Sequence, residues 1–283
     1  MPKIAYIDKK FRAASLVLIE QVEKIVNRYE EQGYSLTLRQ IYYQLVAGDV
    51  IPNSEKSYNN LGMLLSDARL AGLIDWSAIE DRSRICRSFY HYKNPQEALQ
   101  ETANRYRIDL WADQPYYIEV WVEKDALSDV VGQAACRYDV PYFACRGYVS
   151  QSAMWEAAER FISKGNNHQC LLIYLGDHDP SGLDMSRDIS DRLNLFEAEV
   201  AISRIALNYN QIQQYSPPPN PAKVTDSRAG GYIKRFGSSS WELDALPPQI
   251  LDKLISDEII KYVDTDLFNQ AVDRQNEERL SIA

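Results

Sequence analysis

Residues 170–182 read CLLIYLGDHDPSG: six apolar residues in a row, then acids, then Pro-Ser-Gly. A short apolar run that ends in turn residues is a strand buried on both faces. Such strands belong to parallel sheets with helices packed on either side. The neighbouring chain keeps the same rhythm. YIEVWVE (117–123), PYFACRG (141–147), CLLIYLGD (170–177) and VAISRIAL (200–207) read as strands, with helical stretches between them. SAMWEAAERFISKG is one such helix, and another runs from Gly182 to about Leu193. The spacing predicts an α/β domain on a mostly parallel sheet.

The first hundred residues have a different rhythm. FRAASLVLIEQVEKIVNRYEE repeats Leu16, Ile19, Val22, Ile25, Val26 and Tyr29 at helical spacing and stops at Gly33. Ser35 or Thr37 caps a second helix, LRQIYYQLVA, which ends at Gly48. A third helix runs from about Ser57 to Ala71, and LIDWSAIEDRSR (73–84) reads as a short strand or β-wing. Helix, helix, helix, wing is the order of a winged helix-turn-helix, whose third helix reads the DNA groove. Two domains are expected, 1–100 and 114–283, with the joint at 95–114. Residues 216–241, rich in Pro, Gly and Ser, read as one long irregular segment, and LPPQILDKLISDEIIKYV as a helical tail.

Charge is distributed unevenly along the chain. The whole carries −9, but residues 1–110 carry +1 and the remainder −10. A phosphate-rich partner needs Lys and Arg, so the overall charge opposes one and only the first part escapes the objection. No apolar run approaches the ~20 residues that span a bilayer, and the N-terminus has charges where a signal peptide needs an apolar stretch. A cytoplasmic protein without a membrane partner is expected. Cys86, Cys136, Cys145 and Cys170 are never two or three apart, and His91, His168 and His178 do not cluster with them. A zinc site is not expected, so any catalytic metal is a hard cation on oxygen ligands.

Glu123 follows one predicted strand, and Asp177 and Asp179 follow another. Strand C-termini of a parallel sheet share one edge, where ligands collect. Three carboxylates gathered there require a cation, and Mg²⁺ is the expected cofactor. The other reading of the same acids is a set of surface helix caps. Glu242 and Asp244 in WELDALPP either approach that edge or cap the last helix. Lys223, Arg228, Lys234 and Arg235 make the Pro/Gly segment locally basic, as a DNA-facing flap or a surface loop.

Strand–Glu followed by strand–DxD–turn–Gly resembles a TOPRIM domain. VEKDAL (122–127) and GDHDPSG (176–182) are similar to segments of the topoisomerase VI A-subunit family, whose relatives include the meiotic double-strand-break transesterase and nuclease subunits of bacterial defence systems. TLRQIYYQL (37–45) resembles that family's nucleophile motif. The resemblance implies a winged-helix domain followed by a TOPRIM domain, with Glu123, Asp177 and Asp179 as metal ligands and Glu123 also a general acid/base. It further implies Mg²⁺-dependent DNA cleavage by Tyr43 with Arg39 beside it, double-stranded DNA as substrate, and a homodimer. A strand-passing topoisomerase would need a separate ATPase subunit, since this chain has no ATPase region. In a prokaryote it would be nucleoid-associated.

On helix 38–47, Leu38, Ile41, Tyr42 and Leu45 form one apolar stripe, so Tyr42 is expected in the core and Tyr43 about 100° away from it. Arg39 lies one turn earlier, where its guanidinium favours a phenolate and clamps a phosphate. Lys56, Arg69, Arg82, Arg84 and Arg87 are the expected DNA-backbone contacts. The alternatives are a metal-dependent nuclease that uses water, with Tyr43 only touching DNA, and a non-catalytic winged-helix DNA-binding protein.

Overall fold

The computed structural model of the chain describes residues 3–79, 91–221 and 228–282. In chain order its helices are α1 (Ala13–Glu30), α2 (Leu38–Ala47), α3 (Glu55–Leu70), α4 (Pro95–Arg105), α5 (Ser128–Cys136), α6 (Gln151–Gly165), α7 (Pro180–Leu195), α8 (Tyr209–Tyr215), α9 (Ala229–Phe236), α10 (Pro248–Ile260) and α11 (Thr265–Ile282). The strands are β1 (Tyr116–Val122), β2 (Tyr142–Ala144), β3 (Gln169–Leu175), β4 (Ala201–Ala206), β5 (Asn220–Pro221) and β6 (Ser239–Ser240). No described helix is long and apolar enough to cross a membrane.

The chain forms two compact units, each built from several segments. One holds Met1–Arg84, Gly176–Leu183 and Ala206–Leu251; the other holds Ile85–Leu175, Asp184–Ile205 and Asp252–Ala283. This partition differs from a single joint at 95–114. α4, which falls in the expected joint, packs with α11 from the far end of the chain. Arg279 Nε donates to the Tyr106 carbonyl at 2.8 Å, and the Ile108 N–H donates to Gln275 Oε1 at 3.1 Å.

In the first unit, α1 buries Ile19, Val22, Val26 and Tyr29 of the predicted stripe, while Leu16 at its start is 46% exposed. Gly33 follows at φ 81°, a left-handed turn position suited to glycine. Of the two candidate caps for α2, Thr37 is the one used, in a reciprocal box. Its Oγ1 accepts from the Gln40 N–H at 3.3 Å, and its own N–H donates to Gln40 Oε1 at 2.9 Å. α3 begins at Glu55, earlier than predicted, because Ser54 caps it and accepts from the Ser57 N–H at 3.2 Å. The three helices share a core that includes Leu36, Ile41, Leu45, Leu61, Leu65 and Ile74. The strand expected over 73–84 is absent from the described part, 73–79. Trp76–Ala78 is a 3-10 turn capped by Asp75, with a lone parallel bridge from Leu36 to Ile79. The local Asp75–Ser77 bonds outcompete the weak alternation that suggested a strand.

The second unit holds the four-stranded parallel sheet, in the order β2-β1-β3-β4. β1 and β3 pair over their full length, from Tyr116 with Gln169 to Val122 with Leu175. Both faces of β1 are buried, as a parallel sheet covered by helices requires. One face packs Trp121, Tyr174 and Leu172 against Met154, Ala158 and Phe161 of α6 and Met185 and Ile189 of α7. Each fully buried apolar side chain of this kind stabilises the fold by ~1.5–3 kcal/mol. Glu119 is buried among them but satisfied: Arg160 Nε and Nη2 donate to it at 3.0 and 3.1 Å, and Trp121 Nε1 donates at 2.8 Å. α5 lies so close to β2 that a Cβ on Gly132 would come within 2.8 Å of the Tyr142 ring.

The described parts of 216–241, residues 216–221 and 228–241, hold more regular structure than their composition suggests. β5 and β6 pair antiparallel, Asn220 with Ser240 and Pro221 with Ser239, and α9 lies between them in sequence. The predicted helical tail, 246–263, is α10, and a further helix, α11, follows it. The Asp264 carboxylate accepts the N–H groups of Asp266 and Leu267, both at 3.1 Å, and so starts a new helix.

Candidate active site

The candidate site lies in the first unit and begins with α2. Its capped start places Arg39 and Tyr43 one turn apart, as expected. The environment of Tyr43 differs from the expectation. Tyr43 is 4% exposed, as deeply buried as Tyr42 at 5%, and the two rings meet edge to face at 5.3 Å. The face of α2 that was to stay clear of the core is covered by residues roughly 200 positions later in the chain. The 3-10 turn Leu243–Ala245 packs on α2, and Ala245 joins the helical core.

The covering residues come from β5, which carries Asn220, and from the chain just after β6, which carries Glu242. Asn220 Nδ2 donates to the Tyr43 hydroxyl at 3.3 Å and to Glu242 Oε1 at 3.2 Å. Glu242 Oε2 pairs with Arg39 Nη1 at 3.1 Å. Arg39 also lies over the Tyr58 ring, 5.6 Å from its centroid. Asn220 is itself held in place. Asn53 Nδ2 donates to its side-chain oxygen at 2.9 Å and to the Pro219 carbonyl at 2.6 Å. Asn53 Oδ1 in turn accepts from the Tyr42 hydroxyl at 2.8 Å.

These contacts set the electrostatics of the pair. Burial pushes the Tyr43 phenol well above the ordinary tyrosine range, and the carboxylates of Asp244 and Glu242 push it further. Burial alone would weaken the charge on Arg39, but Glu242, Asp244 and Tyr43 together hold it more firmly protonated than usual. The expected effect of Arg39 on the phenol is therefore reversed by its surroundings. The guanidinium is matched to Glu242, and the phenol stays protonated at neutral pH.

The residue after Glu242 reaches the acidic turn. The Leu243 N–H donates to Asp177 Oδ1 at 2.7 Å, both residues being buried. Asp179 Oδ1 accepts from the Ser181 hydroxyl at 3.0 Å and the Gly182 N–H at 2.6 Å, so it caps the start of α7. Between the acids, His178 is 1% exposed and belongs to an aromatic cluster with Tyr209, Tyr232, Phe236 and Trp241. Its Nδ1 lies 2.8 Å from the Tyr232 hydroxyl, and its backbone exchanges hydrogen bonds with Trp241 at 2.8 and 3.0 Å. His178 therefore anchors α9 and the hairpin to the turn.

Glu123 belongs to the second unit, at the end of β1. Its N–H donates to the Leu175 carbonyl at 2.9 Å, and its side chain is 8% exposed. Because Val122 and Leu175 are register partners, β1 and β3 end at the same level. Burial raises the neighbouring Cys145 thiol to about 12, with a further push from the Glu123 charge. The acids of the turn are hard oxygen donors of the kind Mg²⁺ takes, and a backbone N–H holds an Oδ1 of each. Among the described residues, no three His, Cys, Asp or Glu side chains are grouped as metal ligands.

Of the expected DNA contacts, Lys56 is exposed in the first turn of α3. Arg69 is turned inward: its guanidinium donates to the carbonyls of Trp76 and Ile79 (3.2 Å for the latter) and lies over the Trp76 ring. Arg82, Arg84 and Arg87 lie outside the described residues. Sequence reasoning noticed Glu242 and Asp244 but not Asn53 or Asn220. The only local signal for Asn220 is its place between prolines, which stiffen the backbone around it. No family model matches the chain, and neither a curated protein nor a solved structure matches it significantly.

Proposed function

We propose that this protein is a winged-helix and TOPRIM-type enzyme that cleaves double-stranded DNA by tyrosine transesterification in the presence of Mg²⁺. One observation carries the reading: two consecutive residues tie the phenol-bearing helix to the acidic turn within one compact unit. Glu242 holds Arg39 and, through Asn220, Tyr43, while Leu243 holds Asp177.

In the proposed reaction the Tyr43 oxygen attacks a backbone phosphorus. A phosphotyrosyl bond forms to the 5′ side as the bond to the 3′ oxygen breaks. The phenol proton leaves to solvent, and the departing 3′ oxygen takes one up. Arg39 positions the phosphate and offsets its charge. Asp177 and Asp179 would hold a Mg²⁺ ion. When bound, the ion supplies neutralisation of charge developing on the phosphate. Lys56 contacts the DNA backbone. Arg69 is withdrawn from that role, since its Nη2 donates to the Trp76 and Ile79 carbonyls and its guanidinium lies over the Trp76 ring. Two copies of the chain, each cutting one strand, would give a double-strand break.

A second reading, hydrolytic cleavage by a metal-activated water, is favoured by the burial and raised pKa of Tyr43. Plasmid DNA incubated with protein and Mg²⁺, then run on a denaturing gel with and without protease, separates the two. Under transesterification, protein stays attached to 5′ ends and Tyr43→Phe loses both attachment and cutting. Cutting that survives Tyr43→Phe, with free ends, overturns the tyrosine mechanism in favour of water.

A further inference from the structure

We propose that Arg39 and Asn220, beside the Tyr43 hydroxyl, form a binding site for a DNA backbone phosphodiester, and that the Glu242 carboxylate fills this site until substrate displaces it. The identification of the anion as a DNA phosphate rests on the function proposed above. The site itself rests on geometry.

Glu242 presents two anionic oxygens, and each has a donor: Arg39 Nη1 at 3.1 Å on one, Asn220 Nδ2 at 3.2 Å on the other. A guanidinium and an amide N–H on separate oxygens of one anion is equally the chemistry that binds phosphate. The donors are set in advance. Asn53 holds the Asn220 side-chain oxygen, which directs its NH₂ group toward Glu242 and Tyr43. The pair is within reach of solvent. The Arg39 side chain is 47% exposed and that of Glu242 26%, so an anion from solvent can reach the guanidinium, and the pair is screened by water and salt.

Exchange would change the neighbouring phenol. While Glu242 is seated, its charge adds to burial and to Asp244 in keeping Tyr43 protonated. A phosphodiester seated on the same donors would lie beside the phenol oxygen that Asn220 contacts. Glu242 thus acts as an internal substrate mimic: it neutralises Arg39 and keeps the site closed in the absence of DNA.

The test measures binding of a fluorescently labelled short DNA duplex by anisotropy in EDTA, where no metal-dependent cutting occurs. Glu242→Gln keeps the shape and removes the charge. It is expected to bind roughly tenfold tighter than the parent protein, about the worth of one charge-assisted contact. Glu20→Gln removes an equal charge from exposed α1 and is expected to leave binding unchanged. In Arg39→Ala/Glu242→Gln the gain disappears. A Glu242→Gln protein that binds no tighter than Glu20→Gln, or a gain that persists without Arg39, overturns the proposal. Because binding is read without Mg²⁺, a water-based mechanism found on the denaturing gel leaves this test intact. A transesterase whose Glu242→Gln form binds no better would sink the inference alone.

Discussion

Replacing Asp177 tests whether the acidic turn is structural as well as chemical. Asp177 is 7% exposed, and its Oδ1 receives the N–H of the fully buried Leu243 at 2.7 Å. Asp177→Ala removes that acceptor. A stranded buried N–H costs ~1–3 kcal/mol. Freeing the fold from a buried carboxylate returns part of this, because the charge is costly to desolvate. Asp177→Asn keeps an oxygen in the same place and loses only the charge, so it should cost ~1 kcal/mol less than alanine. Thermal or urea unfolding of the three proteins checks the order: parent most stable, asparagine next, alanine last. The thermal midpoint falls by roughly 2–4 °C for each kcal/mol in a protein of this size. If alanine proves as stable as asparagine, Leu243 does not depend on the carboxylate and the tie between turn and hairpin is illusory. The comparison also guards the cleavage assay. Both variants should lose Mg²⁺-dependent cutting, but only a loss in the stable asparagine form counts as chemistry.

Two more outcomes follow from burial. Among the described cysteines Cys136 is exposed while Cys145 and Cys170 are buried, and Cys145 is raised to about 12. The reacting species is the thiolate, so at pH 8 only roughly one Cys145 in 10⁴ is ready to react. Iodoacetamide followed by mass spectrometry should label Cys136 first and reach the other two only in denaturant; early labelling of Cys145 contradicts its burial. Tyr43, Tyr117 and Tyr232 are each raised, chiefly by burial, above the ordinary value of 10.0. A raised phenol stabilises the fold fully below the unfolded-state value and loses that contribution as pH climbs toward the folded-state one. Urea midpoints should therefore be flat through pH 9 and fall above pH ~10; a midpoint that rises there is incompatible with the buried phenols.

Elements with strong local signals were readable without coordinates. The α2 boundaries, the strand at 169–175 and the turn into α7 follow from caps, apolar runs and glycine, interactions that close within a few residues. Arg39 and Tyr43 were legible as one-turn neighbours for the same reason. Weak patterns failed where stronger local bonding or distant partners intervened. Asp75 turned an expected strand into a 3-10 turn, and pairing between Asn220 and Ser240 gave order to a segment that composition marked as irregular.

The order of helices and strands, and the side chains suited to phosphate chemistry, are properties of short windows of chain, and the amino-acid string alone settles them. Which groups surround the Tyr43 hydroxyl is another matter. Asn220 and Glu242 lie 177 and about 200 positions away from it, and the first of these separations is bridged by one hydrogen bond. No periodicity encodes a contact that far along the chain, because it depends on how whole elements pack. Only the folded structure could turn an expected exposed nucleophile into a buried, charge-guarded phenol.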